Sequence, residues 1–163
     1  MDTMNGSVCS RAGGVPDEGT DFVAPGTGSD DTAFHQSYPA AARSVGAIRA
    51  GVRRFALSVG PSPAVVDAVE LAVSEAATNV VVHAYRDGNV TGTIDVSAMV
   101  AADELWVIIT DAGLGLRPRA DSPGLGLGLA IIAQLADGLD LVRPSEGGLE
   151  LRMRFALAGK SPR

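Results

Sequence analysis

The sequence predicts an α+β fold: a two-layer sandwich in which a mostly antiparallel sheet is covered on one face by helices. Three observations carry that expectation. Two helical patterns stand first, over residues 39–60 and 62–87. Two pairs of β-rich segments follow, over residues 93–110 and 139–157, and one further helical pattern lies between the pairs. Helices and hairpins in this order favour helices packed on one side of an antiparallel sheet.

Residues 1–34 are rich in Gly, Ser, Thr, Asp and Pro with no apolar period, so they read as a flexible acidic tail that buries too little surface to order itself. From Pro39 onward Val45, Ile48, Val52 and Phe55 recur at helical steps, while Arg43, Arg49, Arg53 and Arg54 occupy other positions, and the helix should stop near Gly60. Ser62 followed by Pro63 supplies an N-cap and a proline at the first helical position, and the next interruption is Asp87-Gly88, which predicts a helix of about 23 residues that is largely buried. Thr93–Val100 and Leu105–Thr110 read as strands of a tight hairpin. After a Gly/Pro/Arg-rich stretch over residues 111–128, residues 129–137 are helical in pattern, and Leu139–Arg143 and Leu149–Leu157 look like strands flanking the turn Ser145-Glu146-Gly147-Gly148. The expected organisation is therefore a tail over 1–34, one domain over 35–158 and a short carboxyl-terminal tail over 159–163.

Composition narrows the function. The 163 residues are 46% hydrophobic and 20% charged, a globular balance for one domain, and no apolar run reaches the roughly 18 residues of a membrane span. The first residues carry neither a basic leader nor an apolar stretch, so a cytoplasmic protein without a membrane partner is expected. Formal charge is -6, with 13 basic and 19 acidic residues, which disfavours direct nucleic-acid binding. Residues 1–35 hold six of the acids and one base, so most of the acidity belongs to the tail. Cys9 alone cannot form an intramolecular disulfide. Lys160 is the single lysine, which excludes both a P-loop and the strand lysine of a protein-kinase lobe.

Three local features carry chemistry. On the second helix Val66, Val69, Val73, Ala76 and Val80 form the core stripe, and beside it Ala68, Ala72, Glu75, Asn79 and His83 follow one another at three- and four-residue steps. Glu75 and Asn79 either contact solvent and cap a neighbouring loop, or open onto a cavity, where they suit a hard cation such as Mg2+ and a hydroxyl to be deprotonated. Next, an apolar strand runs into Asp111-Ala112-Gly113-Leu114-Gly115, which is either a turn or a carboxylate that accepts a ligand amine, with Gly113 and Gly115 letting the backbone approach a flat ring. Finally, Gly124, Gly126 and Gly128 open a helix whose N–H groups and dipole favour phosphate. A Rossmann fingerprint fails there, because Leu129 stands where a small residue is required and no strand precedes.

In this order and spacing, the run from Glu70 to Tyr85 (ELAVSEAATNVVVHAY), then IITDAGLGL, PGLGLGLAII and GGLELRM, resembles the anti-sigma-factor serine/threonine kinases of the gyrase, Hsp90, histidine-kinase and MutL superfamily of ATP-binding domains. The resemblance covers about residues 36–158 and implies a Bergerat-type ATP-binding fold. It also implies ATP and Mg2+ as cofactors, with Glu75 as general base, Asn79 as magnesium ligand, Asp111 binding the adenine amino group, and Gly124, Gly126 and Gly128 in a lid over the phosphates. The implied activity is phosphorylation of a small antagonist protein, with a sigma factor regulated by partner switching. A non-catalytic nucleotide-dependent module that sequesters a regulator is the alternative. Dimerisation is implied by the resemblance alone.

His83 is read either as a packed histidine or as a phosphate contact, and Arg117 and Arg119 of the lid either as γ-phosphate or partner contacts or as ordinary loop arginines. The sequence departs from the family at Leu149, where the pattern has a threonine whose hydroxyl lies near the adenine.

Overall fold

The computed structural model describes residues 33–83, 92–113, 125–145 and 147–158. Its eight elements are β1 (Ala33–Pro39), α1 (Ala42–Val59), α2 (Pro63–His83), β2 (Thr93–Ala101), β3 (Glu104–Asp111), α3 (Leu125–Leu135), β4 (Gly138–Val142) and β5 (Leu149–Ala156). The strands form one sheet in the order β1-β2-β3-β5-β4, and every neighbouring pair is antiparallel.

Register decides which face carries the core. Ile94, Asp111 and Leu149 lie in one cross-strand row, Val96, Ile109 and Leu151 in the next, and Ala98, Val107 and Met153 in a third. All nine side chains are buried, because strand alternation turns them toward the helices. All of them except Asp111 and Leu149 join Ile48, Val52 and Phe55 of α1, Val66, Val69, Val73, Ala76 and Val80 of α2, and Ile132 of α3 in a single cluster. The residues between them, among them Asp95, Ser97, Thr110, Glu150, Arg152 and Arg154, line the other face of the sheet, where Arg152 pairs with Glu150, and Arg154 with Glu104 at 3.6 Å. The expected two-layer α+β sandwich is the architecture found.

The β2–β3 turn is set by Ala102 and Asp103, both at positive φ (51° and 61°), which matches the right-handed twist of a two-residue hairpin. Helix α1 stops where expected: Gly60 adopts φ 77°, and its N–H donates to the Ala56 carbonyl. Helix α2 starts where Ser62-Pro63 placed it, with the Val65 N–H donating to Ser62 Oγ at 3.4 Å. Among the described residues no helix is long and apolar enough to cross a membrane.

Three sequence expectations need correction, and one lies partly outside the described residues. Strand β1 is an element the sequence reading did not contain; Phe34 and Tyr38 point inward along it, and Gly51 of α1 is what admits them, since a Cβ there would stand 3.0 Å from Phe34 and 3.1 Å from the Tyr38 hydroxyl. Helix α3 begins at Leu125, four residues earlier than its pattern suggested, because packing of Gly128 and Ile132 overrides the weak helix propensity of glycine. Helix α2 is not buried all round: Leu71 and Val82 are exposed, so one flank meets solvent. The described part of α2 has 21 residues, and the expected end at Asp87-Gly88 lies outside the described residues.

Candidate nucleotide and phosphoryl-transfer site

The two polar members of the α2 stripe are brought together under the first turns of α3. Gly128 is the contact point. A Cβ built there would lie 3.1 Å from Asn79 Nδ2, 3.2 Å from Asn79 Oδ1 and 3.3 Å from Glu75 Oε2. A glycine is needed because α3 approaches α2 so closely that any side chain would press on both polar groups. Placing them one helical turn apart follows from the four-residue spacing of Glu75 and Asn79. Nδ2 of Asn79 is buried and has no hydrogen-bond partner, a costly state for an amide donor unless something fills it.

Asp111 closes β3 on the helix-facing side of the sheet and is 3% exposed. Its Oδ1 accepts a hydrogen bond from the Gly113 N–H at 2.9 Å. Burial pushes its carboxyl above the ordinary 3.8, opposed in part by that backbone hydrogen bond. Across the sheet it faces Leu149, also buried, so the neighbour in register offers no polar group. Gly148 precedes it at φ 85°, and a Cβ there would overlap the Asp111 carbonyl oxygen. The turn into β5 therefore pins the backbone from which Asp111 projects. Sequence reasoning recognised the Gly-Gly pair as a turn but missed this role, since contact with Asp111 depends on a register that no local pattern encodes.

Among the proposed site residues, Glu75 and Asn79 meet at Gly128, Asp111 and Gly113 are joined by a hydrogen bond, and Gly126 lies within α3 rather than in an open loop. His83 is the last described residue of α2, and nothing is described of its side chain. Gly115, Gly124, Arg117 and Arg119 lie outside the described residues.

The donor set fits a magnesium nucleotide. No group of three or more His, Cys, Asp or Glu among the described residues could cage a metal. Mg2+ does not require such a cage, because it keeps several waters and takes one or two protein oxygens together with substrate phosphates. Asn79 Oδ1, beside the Glu75 carboxylate, is of that type, and the orphaned Nδ2 is a donor suited to a phosphate oxygen.

Comparison with known proteins gives the family of the chain. A family model described as the histidine kinase-like ATPase domain matches residues 38–155. The chain is 32% identical over 127 residues to the serine-protein kinase RsbW of Halalkalibacterium halodurans, covering 69% of this chain and 76% of that protein. It is 33% identical over 130 residues to the RsbW of a Staphylococcus aureus strain, covering 71% of this chain and 80% of the relative. An anti-sigma F factor of Clostridium acetobutylicum is 28% identical over 122 residues, covering 67% and 84%. Among solved structures, the RsbU and RsbW domains of a Mycobacterium tuberculosis protein share the fold with a TM-score of 0.61 at 22% identity, over 80% of this chain and 34% of that one. The chain thus spans about a third of that two-domain structure. This chain belongs to the histidine kinase-like ATPase domain family, within its group of anti-sigma-factor serine-protein kinases.

Proposed function

We propose that this protein binds ATP with Mg2+ and transfers the γ-phosphoryl group to a serine or threonine of a small antagonist protein, and that it controls a sigma factor by exchanging one partner for the other. The observation that carries the proposal is the convergence of the Glu75 carboxylate and the Asn79 amide beneath Gly128. Names of the relatives, serine-protein kinase and anti-sigma F factor, support it.

In this reading each residue has one task. The Asp111 carboxylate accepts a hydrogen bond from the adenine amino group, in a place too dry for water to compete well. Asn79 turns its Oδ1 to the metal and its unfilled Nδ2 to a phosphate oxygen. Magnesium, when bound, neutralises charge on the β- and γ-phosphates. Glu75 takes the proton of the acceptor hydroxyl as the new oxygen–phosphorus bond forms and the bond to the β-phosphate oxygen breaks, releasing ADP. The N-terminal end of α3, whose first turns press on Glu75 and Asn79, directs its positive dipole end toward the developing charge.

Incubation with labelled ATP and candidate antagonist proteins tests the proposal. Transfer of label to a serine or threonine is the expected result. Nucleotide-dependent capture of a regulator without any transfer would establish the binding module instead.

A further inference from the structure

Helix α1 carries four arginines, Arg43, Arg49, Arg53 and Arg54, and no acidic residue. They divide between two flanks. Arg49 and Arg53 face α2, where Arg49 Nε lies 3.6 Å from Glu70, and Arg53 pairs with Glu70 and lies 3.6 Å from Asp67. Arg43 and Arg54, eleven residues apart, fall within about 20° of each other on the helix and roughly 16 Å apart along it. Both are exposed, and Arg54 takes part in none of the ion pairs with α2. Between them the same flank holds only Ala47 and Ala50, so the charged heads are not screened by larger neighbours. This is the flank toward β1: Phe34 packs against Gly51 and Phe55, and Arg54 lies close enough to Tyr38 for its charge to act on the phenol.

The chain leading into β1 has the opposite charge. Residues 1–32 hold Asp2, Asp17, Glu18, Asp21, Asp30 and Asp31 against Arg11, a net of -5 in a chain whose total is -6. Asp31 and Asp30 stand three and four residues before Phe34, so they reach about 10 to 14 Å from a side chain that itself touches α1 one turn from Arg54. Asp17, Glu18 and Asp21 lie far enough back to extend along the flank to Arg43. We propose that the Arg43–Arg54 flank of α1 is a docking surface for the chain's own acidic segment, residues 1–32. Each exposed ion pair is weak and screened by salt, but a tethered segment meets its surface at an effective concentration in the millimolar range, so several weak pairs suffice for a populated docked state. Any acidic surface approaching α1 must displace it.

Cys9, the one cysteine, gives a direct test in the full chain. A nitroxide attached there is expected, at low salt, to broaden the amide signals of α1 between Arg43 and Arg54 more than those elsewhere. High salt and the double variant R43Q/R54Q should each reduce that broadening to the level of amides on the opposite side of the molecule. In the charge-swapped pair, R54E alone should weaken it and R54E with D30R/D31R should restore it, an outcome that general damage to α1 would not produce. Broadening spread evenly over the protein, or unchanged by R43Q/R54Q, overturns the proposal. So does equal broadening when spin-labelled and isotope-labelled molecules are separate chains in a mixture, because the occupant would then be a second copy.

Discussion

Replacing Asp111 by Asn separates recognition of the base from stability of the fold, and the two should move in opposite directions. The carboxylate is buried, its Oδ1 is held by the Gly113 N–H, and the facing residue in register is Leu149. An asparagine of the same shape keeps that backbone hydrogen bond but loses the charge. With Oδ1 on the Gly113 N–H, the amide places Nδ2, a donor, where the second carboxylate oxygen accepted from the adenine amine, and losing that hydrogen bond to a charged group costs on the order of 1.5 to 3 kcal/mol, or roughly a 10- to 150-fold weaker ATP complex. Stability follows the proton balance. Burial raises the carboxyl above the 3.8 of the unfolded chain, so between that value and the raised one the folded protein holds more protons, and stability falls as pH rises through the window. Above the window the buried charge is a standing penalty. D111N removes the penalty, so nucleotide-free D111N should be at least as stable as the parent near neutral pH and should lack this pH-dependent decline. Titration calorimetry with ATP and urea unfolding followed through Trp106, the one tryptophan, measure both quantities. An unchanged ATP affinity, or a nucleotide-free D111N clearly less stable at neutral pH, would refute the assignment of a desolvated, base-binding carboxylate.

Three further substitutions probe the surroundings of the site. Gly128→Ala adds a helix-favouring methyl worth about 1 kcal/mol but presses on Asn79 and Glu75 at 3.1 to 3.3 Å, so unfolding stability should change little while phosphoryl transfer drops; transfer at the parent rate would show that the close approach is unimportant. Gly148→Ala combines left-handed strain with overlap on the Asp111 carbonyl and should destabilise by at least about 2 kcal/mol, read as a lowered urea midpoint; an unchanged midpoint would contradict the described turn. Asn79→Ala should weaken nucleotide binding in magnesium far more than in excess chelator, and an equal loss in both conditions would remove Asn79 from the metal.

The parts of this molecule legible in its sequence are those with a local period or a local breaker. The α2 core stripe from Val66 to Val80 is buried as its spacing requires, and Ser62-Pro63 and Gly60 bound their helices. Strand β1 was illegible because it is an edge strand: Ser37 and His35 bond to Asp95 and Ser97 on the polar face, while Phe34 and Tyr38 reach α1. The start of α3 was misplaced because glycine at 126 and 128 argues locally against a helix that tertiary contact requires. Glu75, Asn79 and Asp111 stood out as polar groups in apolar surroundings, but placing Gly148 against Asp111 needs the pairing of β3 with β5, a relation between distant segments.

The central claim is that Glu75 removes the acceptor proton while Asn79 and Asp111 hold the nucleotide, and Glu75→Gln tests it most directly. The glutamine keeps shape and hydrogen-bonding capacity and loses proton acceptance. Measured with labelled ATP and a phosphorylatable antagonist protein, transfer by E75Q should fall by about 10² to 10⁴ while nucleotide affinity stays at the parent value. An antagonist phosphorylated equally fast by the parent and by E75Q would contradict the account.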